Sequence, residues 1–481
     1  MRISRWMRAA LMPVALLLAT CEDSSEPGTC DADALASALA GAASGDTVRV
    51  GACRIAGSFT VPAGVALVGE GTSRTVLVSS GRAPVLLVET GAAPTRVADL
   101  TVESTSNTGV LFRGTGGARL ERAAVRAQRG MAVAAEGLAT LELRDVELSG
   151  TIDEGNATTV LARAMPDGTV RVDPDVWPTH GLVLLRVGTA TLENVRSTGF
   201  ASLGALFVES STTWSGGGAP GNLGTGLLVH AGSARLEGLD FSRSLQGFLV
   251  IPAYGAVFAN GAHVTTSKLL VSRSEGYGLL QDNAAVEHVD LVARDNGDAA
   301  VWAQGSTSQL SISGSETVLS GNRFAGVVIH DAVQATIEDA RIDGTRLATR
   351  IFGTTGSVLV GDGIQVASAD GPVTVRNVML SGNERVGLLV ELAGGTTDAL
   401  TVENVTVDGT GTQYGALVQG GTAAPGWDEG IVRVGATATN DLGTVPRLGI
   451  AGRVSGDRMS SDGAVVSTTG LVGIIDPTPP G

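Results

Sequence analysis

Asp282, Gln304 and His330 stand 22 and 26 residues apart, and each closes the same short phrase. The phrase is a small residue, three mostly apolar residues, then a polar one: Gly278-Leu-Leu-Gln-Asp282, Ala300-Val-Trp-Ala-Gln304 and Gly326-Val-Val-Ile-His330. If these segments stack as strands, the second and fourth residues after the small one share a face. Asp282, Gln304 and His330 then form a column with a rung spacing of about 4.8 Å, and Trp302 lies beside them. An aromatic face next to donors and acceptors suits a sugar, which has an apolar ring face and a hydroxyl rim. Trp302, Asp282, Gln304 and His330 are therefore the ligand-binding candidates. Glycosidic cleavage asks for two carboxylates about 5–9.5 Å apart. Asp282 is the column's only aspartate in the regular rungs, so Asp282 and His330 are catalytic candidates only under an alternative reading. The column is also apolar at Leu228, Leu280, Val328 and Leu389. It predicts either a buried contact with another segment or an exposed ligand surface, and both stay open.

Other chemistry is thinner. Asp173 and Asp175, near Arg171, could hold Ca²⁺ with a base beside it, as a lyase would need; a solvated acidic loop is the plainer reading. Gly361-Asp362-Gly363 reads as a turn. His180, His263 and His288 have no metal-ligand spacing, and no nucleophile elbow or phosphate loop stands in a suitable context. No cofactor is implied. The net charge of -15, without a basic stripe, argues against a nucleic-acid partner.

Positioning such a column requires a repeat. The phrase recurs at Gly204-Ala-Leu-Phe-Val208, Gly226-Leu-Leu-Val-His230, Gly387-Leu-Leu-Val-Glu391 and Gly415-Ala-Leu-Val-Gln419, and more raggedly at Gly109 and Gly130. A period near 22 residues with one strand per unit signals a solenoid. One and three residues after the small one come Leu227 and Val229, Leu279 and Gln281, Val327 and Ile329, the better core candidates. A second signature brackets a polar turn with apolar residues, as in Leu192-Glu-Asn-Val195, Ile337-Glu-Asp-Ala340 and Val402-Glu-Asn-Val405. Asn296, Asn322 and Asn383 each fall four residues before the next leading small residue and suit a stacked corner.

The chain opens with Arg2, Arg5 and Arg8 and an apolar run over 9–19, so residues 1–20 are expected to be an export signal. Leu18-Ala-Thr-Cys21 resembles a bacterial lipobox, which makes Cys21 the lipid attachment site; ordinary secretion is the alternative. Residues 21–30 form a polar tether. Cys30 and Cys53 remain, and an even remainder in an exported chain favours a disulfide. Asp31, Asp33, Leu35 and Leu39 predict a short helix over 31–43.

An alanine-rich helix, then Gly45-Asp-Thr-Val48, then "VPAGVALVGEG" at 61–71 resembles the N-terminal cap and first coil of pectate-lyase-like, right-handed parallel β-helix proteins. The chain is also similar to β-helix repeat lipoproteins of high-GC Gram-negative bacteria. The resemblance implies an all-β solenoid of roughly a dozen coils, with the helix plugging its open end. It leaves activity open, because the superfamily spans lyases, hydrolases, esterases and adhesins. The expected layout is a cap and first coil at 31–71, a β-helix at 72–420, and a C-terminal coil, cap and tail at 421–481. Insertions are expected near 151–180, 211–225 and 344–362.

The resulting expectation is a monomeric cell-envelope protein, an outer-membrane lipoprotein or a secreted one. Its preferred role is non-catalytic, a scaffold for surface binding or adhesion with polysaccharide as the partner class. The alternative is a polysaccharide lyase or glycoside hydrolase, with Ca²⁺ if a lyase.

Overall fold

A computed structural model describes residues 28–152, 179–245, 253–330, 334–352, 356–367, 371–392, 396–408, 414–419, 421–434 and 441–442. Cys21, the acidic pair Asp173 and Asp175, and the tail after 442 lie outside the described residues. The chain is a right-handed parallel β-helix of about 13 turns behind one short helix.

Each turn lays one strand on each of three walls. In one turn the first wall is Leu279–Asp282, the second Ala285–Val289 and the third Val292–Arg294. The next turn repeats this with Val301–Gln304, Gln309–Ser313 and Val318–Ser320, in parallel register with the turn below. Pleating sends Leu279, Val301, Val327 and Leu388 into one continuous interior column. Each fully buried leucine or isoleucine contributes about 1.5–3 kcal/mol, and every rung repeats the gain.

Sequence and register explain the leading small residue. A Cβ on Gly278 would lie 2.5 Å from the carbonyl oxygen of Ala300, and one on Gly326 only 2.3 Å from Ile342. No side chain fits there unless the backbone shifts. The corner between the second and third walls carries the second signature: Asn194, Asp339 and Asn404 all adopt left-handed backbone, near φ +50°. Asn and Asp tolerate that region best among residues with a side chain. Their side chains also link rungs, as where Asn404 donates to Asn377 and Asn377 to Asp339.

At the return corner Asn222, Asn296, Asn322 and Asn383 are fully buried. Asn322 Oδ1 accepts from both the backbone N–H and the Nδ2 of Asn296, at 3.1 and 2.8 Å, while its own Nδ2 donates to Ala293. The ladder expected from Asn296, Asn322 and Asn383 thus satisfies corner backbone groups that no strand can pair.

The helix spans Ala32–Gly41, with Asp31 accepting from the Ala34 N–H at its start. Leu35 and Leu39 face inward against the strand Phe59–Val61, closing the interior. Cys30 and Cys53 are disulfide-bonded, tying the helix start to the first coil. Closing a loop of this size contributes about 3 kcal/mol in the chain-entropy picture.

Three expectations are corrected. Residues 211–225 are not an insertion: Leu203–Gly218 is one strand, and Trp214 pairs with Leu192 and Leu236 in the interior column. The glycines and the tryptophan hide the repeat, but the register is regular. Gly130 does not head a rung, because Val133 pairs with Val110 and Ala132 stands opposite Gly109. The run Met131-Ala-Val-Ala-Ala135 is apolar throughout and carries no phase. Gly361-Asp362-Gly363 is not a turn but lies within the strand Gly356–Ala367. The first part of that strand pairs with Ala348–Phe352, the one antiparallel hairpin among the described residues.

Two histidines are sealed in this frame. His288 sits in the interior with its Nδ1 2.8 Å from the Thr266 hydroxyl, and His180 lies on the first wall. Burial lowers His288 to about 3 and His180 to about 4, from an ordinary value of 6.5. Between these values the unfolded chain binds the proton and the folded chain does not. Their contribution is therefore complete above pH 6.5 and is lost as pH falls toward 4 and 3. Denaturant titrations from pH 7.5 to 4.5 should show that loss, and His288→Leu should reduce the slope by about 1.4 kcal/mol per pH unit. An unchanged slope would mean that His288 is not held neutral. Asn322→Ala strips two buried donors of their acceptor and should destabilise by about 2–3 kcal/mol in the same assay.

Candidate functional site

On the first wall the outward positions come from the residue before the small one and from the second and fourth after it. Trp302, Asp282, His330 and Gln304 all stand there, yet they are only 2%, 4%, 5% and 8% exposed. Of the two outcomes open at sequence level, the structure shows the buried one. The Trp302 indole stacks near Phe324 and His330, each 6.0 Å away, and meets Tyr277 edge-on at 5.6 Å. Its Nε1–H donates to Gln304 Oε1 at 2.9 Å. The ring is occupied by protein, so it does not present the open face a sugar requires. Tyr277 precedes its own rung's small residue and Phe324 sits two before the next, which is why the four-residue phrase alone did not reveal them.

The four candidates are brought together as the column predicts. Asp282 Oδ1 accepts from Asn283 Nδ2 at 2.9 Å. Burial pushes its carboxyl up, against hydrogen bonds from Gln304 and Asn283 that favour ionisation. The strip is a second apolar cluster outside the solenoid interior, running from Leu111 and Met131 through Leu206, Leu228, Leu280 and Val328. Ala348 and Val360, from the hairpin, join it.

Several polar groups in the strip pair with one another, while ring and carboxyl atoms such as His180 Nδ1, His230 Nδ1 and Asp282 Oδ2 are buried without a hydrogen bond. His230 Nε2 accepts from Asn260 at 2.8 Å. Asp362, which the turn reading left out of consideration, is fully buried and bridged by Arg385, with Nε to Oδ1 at 2.7 Å. Gln365 Nε2 donates to the same carboxylate at 2.6 Å. Such a pair survives burial because both charges are hydrogen-bonded, and removing one partner would strand the other.

The second wall is built differently. Its outward positions alternate with buried ones in plain view, as in Gln309-Leu-Ser-Ile-Ser313 and Gln334-Ala-Thr-Ile-Glu338. One column runs Thr213, Arg235, Thr265, Glu287, Ser311 and Thr336; a neighbouring one includes Ser211, Ser233, His263, Gln309 and Gln334. Together they floor an open groove of about 690 Å³ crossing six rungs. A smaller hollow of about 390 Å³ continues it toward Arg186 and Glu209. The period-two alternation of this wall is legible in the sequence at Gln309–Ser313 and Gln334–Glu338.

The groove offers hydroxyls, amides, one imidazole, one guanidinium and one carboxylate. One carboxylate is half of what glycosidic cleavage uses. Among the described residues, no group of three or more His, Cys, Asp or Glu is placed to hold a metal ion. No helix among them is long and apolar enough to cross a membrane.

No protein-family model and no curated protein matches the chain. Among solved structures it is similar to tailspike protein 3 of bacteriophage CBA120, with 11% identity and a TM-score of 0.35, covering 89% of this chain and 58% of that one. The chain thus spans somewhat more than half the tailspike's length. An alginate lyase from Paenibacillus shares 13% identity at a TM-score of 0.34, over 60% of this chain and 93% of the lyase. The A-module of an Azotobacter vinelandii mannuronan C-5 epimerase shares 16% identity at 0.36, over 82% and 94% of the two chains.

Proposed function

We propose that the protein is a non-catalytic binding scaffold of the cell envelope, held to a membrane through lipidated Cys21, and that its second wall receives an extended, hydroxyl-rich polymer such as a polysaccharide. The groove on that wall carries the reading. It is open, shallow and long, which suits a chain laid along the solenoid axis better than a small molecule. Its Ser, Thr and Gln side chains both donate and accept, matching sugar hydroxyls. Rungs repeat at about 4.8 Å, so successive units of a polymer would meet similar groups. Arg235 and Glu287 are of opposite sign in the same column, so the polymer favoured is a neutral one.

The rival reading, a polysaccharide lyase or glycoside hydrolase working through Asp282 and His330, is favoured by the raised carboxyl of Asp282. It needs substrate to reach groups that are almost wholly covered.

Affinity electrophoresis in gels containing neutral polysaccharides should retard the parent protein. The Gln309→Ala/Gln334→Ala double variant should lose about tenfold or more in affinity with an unchanged melting temperature, since each lost hydrogen bond contributes about 1 kcal/mol. Equal retardation of both proteins would remove the groove as the binding face. The same polysaccharides should yield no new reducing or unsaturated ends, with or without Ca²⁺; turnover abolished by Asp282→Ala would establish the rival instead. Cys21→Ser should move the protein from the membrane fraction to the soluble one, and continued membrane retention would sink the anchor.

A further inference from the structure

Opposite charges on the second wall are arranged differently inside the groove and outside it. Near the cap, Arg119 and Glu142 stand on adjacent rungs of one column and meet at 2.7 Å. In the next column Arg144 meets Glu193 and Arg376 meets Glu338, again from adjacent rungs. Within the groove the first column runs Thr213, Arg235, Thr265, Glu287 and Ser311. A hydroxyl-bearing rung stands between the two charges, which sets their backbones roughly 10 Å apart. Among the described residues neither side chain holds a hydrogen bond or an ion pair. A hollow of about 200 Å³ opens beside Thr265, lined by Arg235, Glu287 and Glu237 of the next column.

We propose that Arg235 and Glu287 are two ionic subsites of the groove, and that the polymer it takes is neutral by balance: a polysaccharide bearing both carboxylate and ammonium groups. An anionic group meets Arg235, and a cationic group meets Glu287 two rungs along. The proposal rests on the groove being the binding face. A polyanion laid on this column gains at Arg235 but is repelled at Glu237 and Glu287, and a polycation is repelled at Arg235. An uncharged polymer takes water from both charges and returns only neutral partners. A chain carrying both signs gives each charge an ionised partner, the stronger kind of hydrogen bond.

The hollow sets which group goes where. Its two carboxylates outnumber its one guanidinium, so a single ammonium there restores balance. Glu237, Glu287 and the Thr265 hydroxyl are acceptors for the N–H groups of that ammonium. Arg235 stays available to a carboxylate on the groove side, where its column neighbour Thr213 and the nearby Ser233 add hydroxyl donors.

Biolayer interferometry on the full chain, in about 0.15 M salt to screen distant charges, separates the classes. The immobilised probes are hydroxyethyl cellulose (uncharged), carboxymethyl cellulose (anionic), chitosan (cationic) and carboxymethyl chitosan (both signs). Carboxymethyl chitosan should bind about tenfold more tightly than each of the others. Arg235→Gln and Glu287→Gln, both at exposed positions, should each lose about tenfold on that polymer and leave binding to hydroxyethyl cellulose unchanged. The exchange Arg235→Glu/Glu287→Arg should recover most of the loss, because the polymer can lie in the reverse direction. If carboxymethyl chitosan binds no more tightly than hydroxyethyl cellulose while Gln309→Ala/Gln334→Ala weakens both, the groove stands as the binding face and the ionic subsites are overturned. Chitosan or carboxymethyl cellulose binding as tightly as the mixed polymer overturns them as well. Binding to none of the four overturns the subsites and the groove together.

Discussion

The fold depends on one close approach. At the entry to each first-wall strand the backbone passes so near the next rung that a Cβ on Gly204 would lie 2.4 Å from Asn222 Nδ2 and 2.6 Å from the Gly226 carbonyl oxygen. In-register parallel pairing repeats that approach at nearly every turn, so the small residue must recur. Ala300 shows how little tolerance there is: a methyl group is accepted at that rung, and most neighbours carry none. The spacing also places the buried asparagines, since each sits in the return corner and serves the backbone that the close approach leaves unpaired.

From this follows a division into two apolar compartments with one strand between them. Residues such as Leu279 and Val327 face the solenoid interior, while Leu280 and Val328 face the outer strip. A strand buried on both faces reads as a nearly continuous apolar run, which is the appearance of the recurring phrase. The polar groups caught in these compartments are held at a cost. His180 and His288 stay neutral far below the usual imidazole range, and the buried Asp362 carboxylate is held by Gln365 and two guanidinium contacts from Arg385.

The second and third walls meet water, and their characters differ. The second is a concave floor of hydroxyls and amides with few charges around residues 211–336. Toward the N-terminal cap the same wall turns into an ion-pair lattice: Arg96 bridges Glu121, and Arg119 reaches both Glu121 and Glu142. Of these, the exposed Arg119–Glu142 pair contributes about 0–1 kcal/mol, whereas Glu121 is itself buried. The effect of these pairs is to tie up the outward charged groups there, whereas the groove's outward side chains are mostly uncharged, with Ser233 donating to Ser211 at 3.1 Å.

Periodicity made the solenoid, its inward and outward columns and the Asn ladder legible in the sequence, while the capping helix followed from Asp31, Asp33, Leu35 and Leu39 and the Cys30–Cys53 bridge from the even cysteine remainder. The repeated features are each one local rule applied at one spacing. Periodicity also placed Asp282, Trp302, Gln304 and His330 side by side. It could not show that Tyr277 and Phe324 close over Trp302, because those residues belong to the flanks of the phrase. It did not show that Asp362 meets Arg385, one repeat further on, because Gly361-Asp362-Gly363 reads as a turn and not as the entry to a rung. Nor did it show that the Trp214 segment keeps register, because glycines mask the pattern. Sequence spacing determines which residues share a column. Whether a column faces water, another side chain or a ligand is decided only when neighbouring rungs and corners pack, since burial is a property of what lies across the gap.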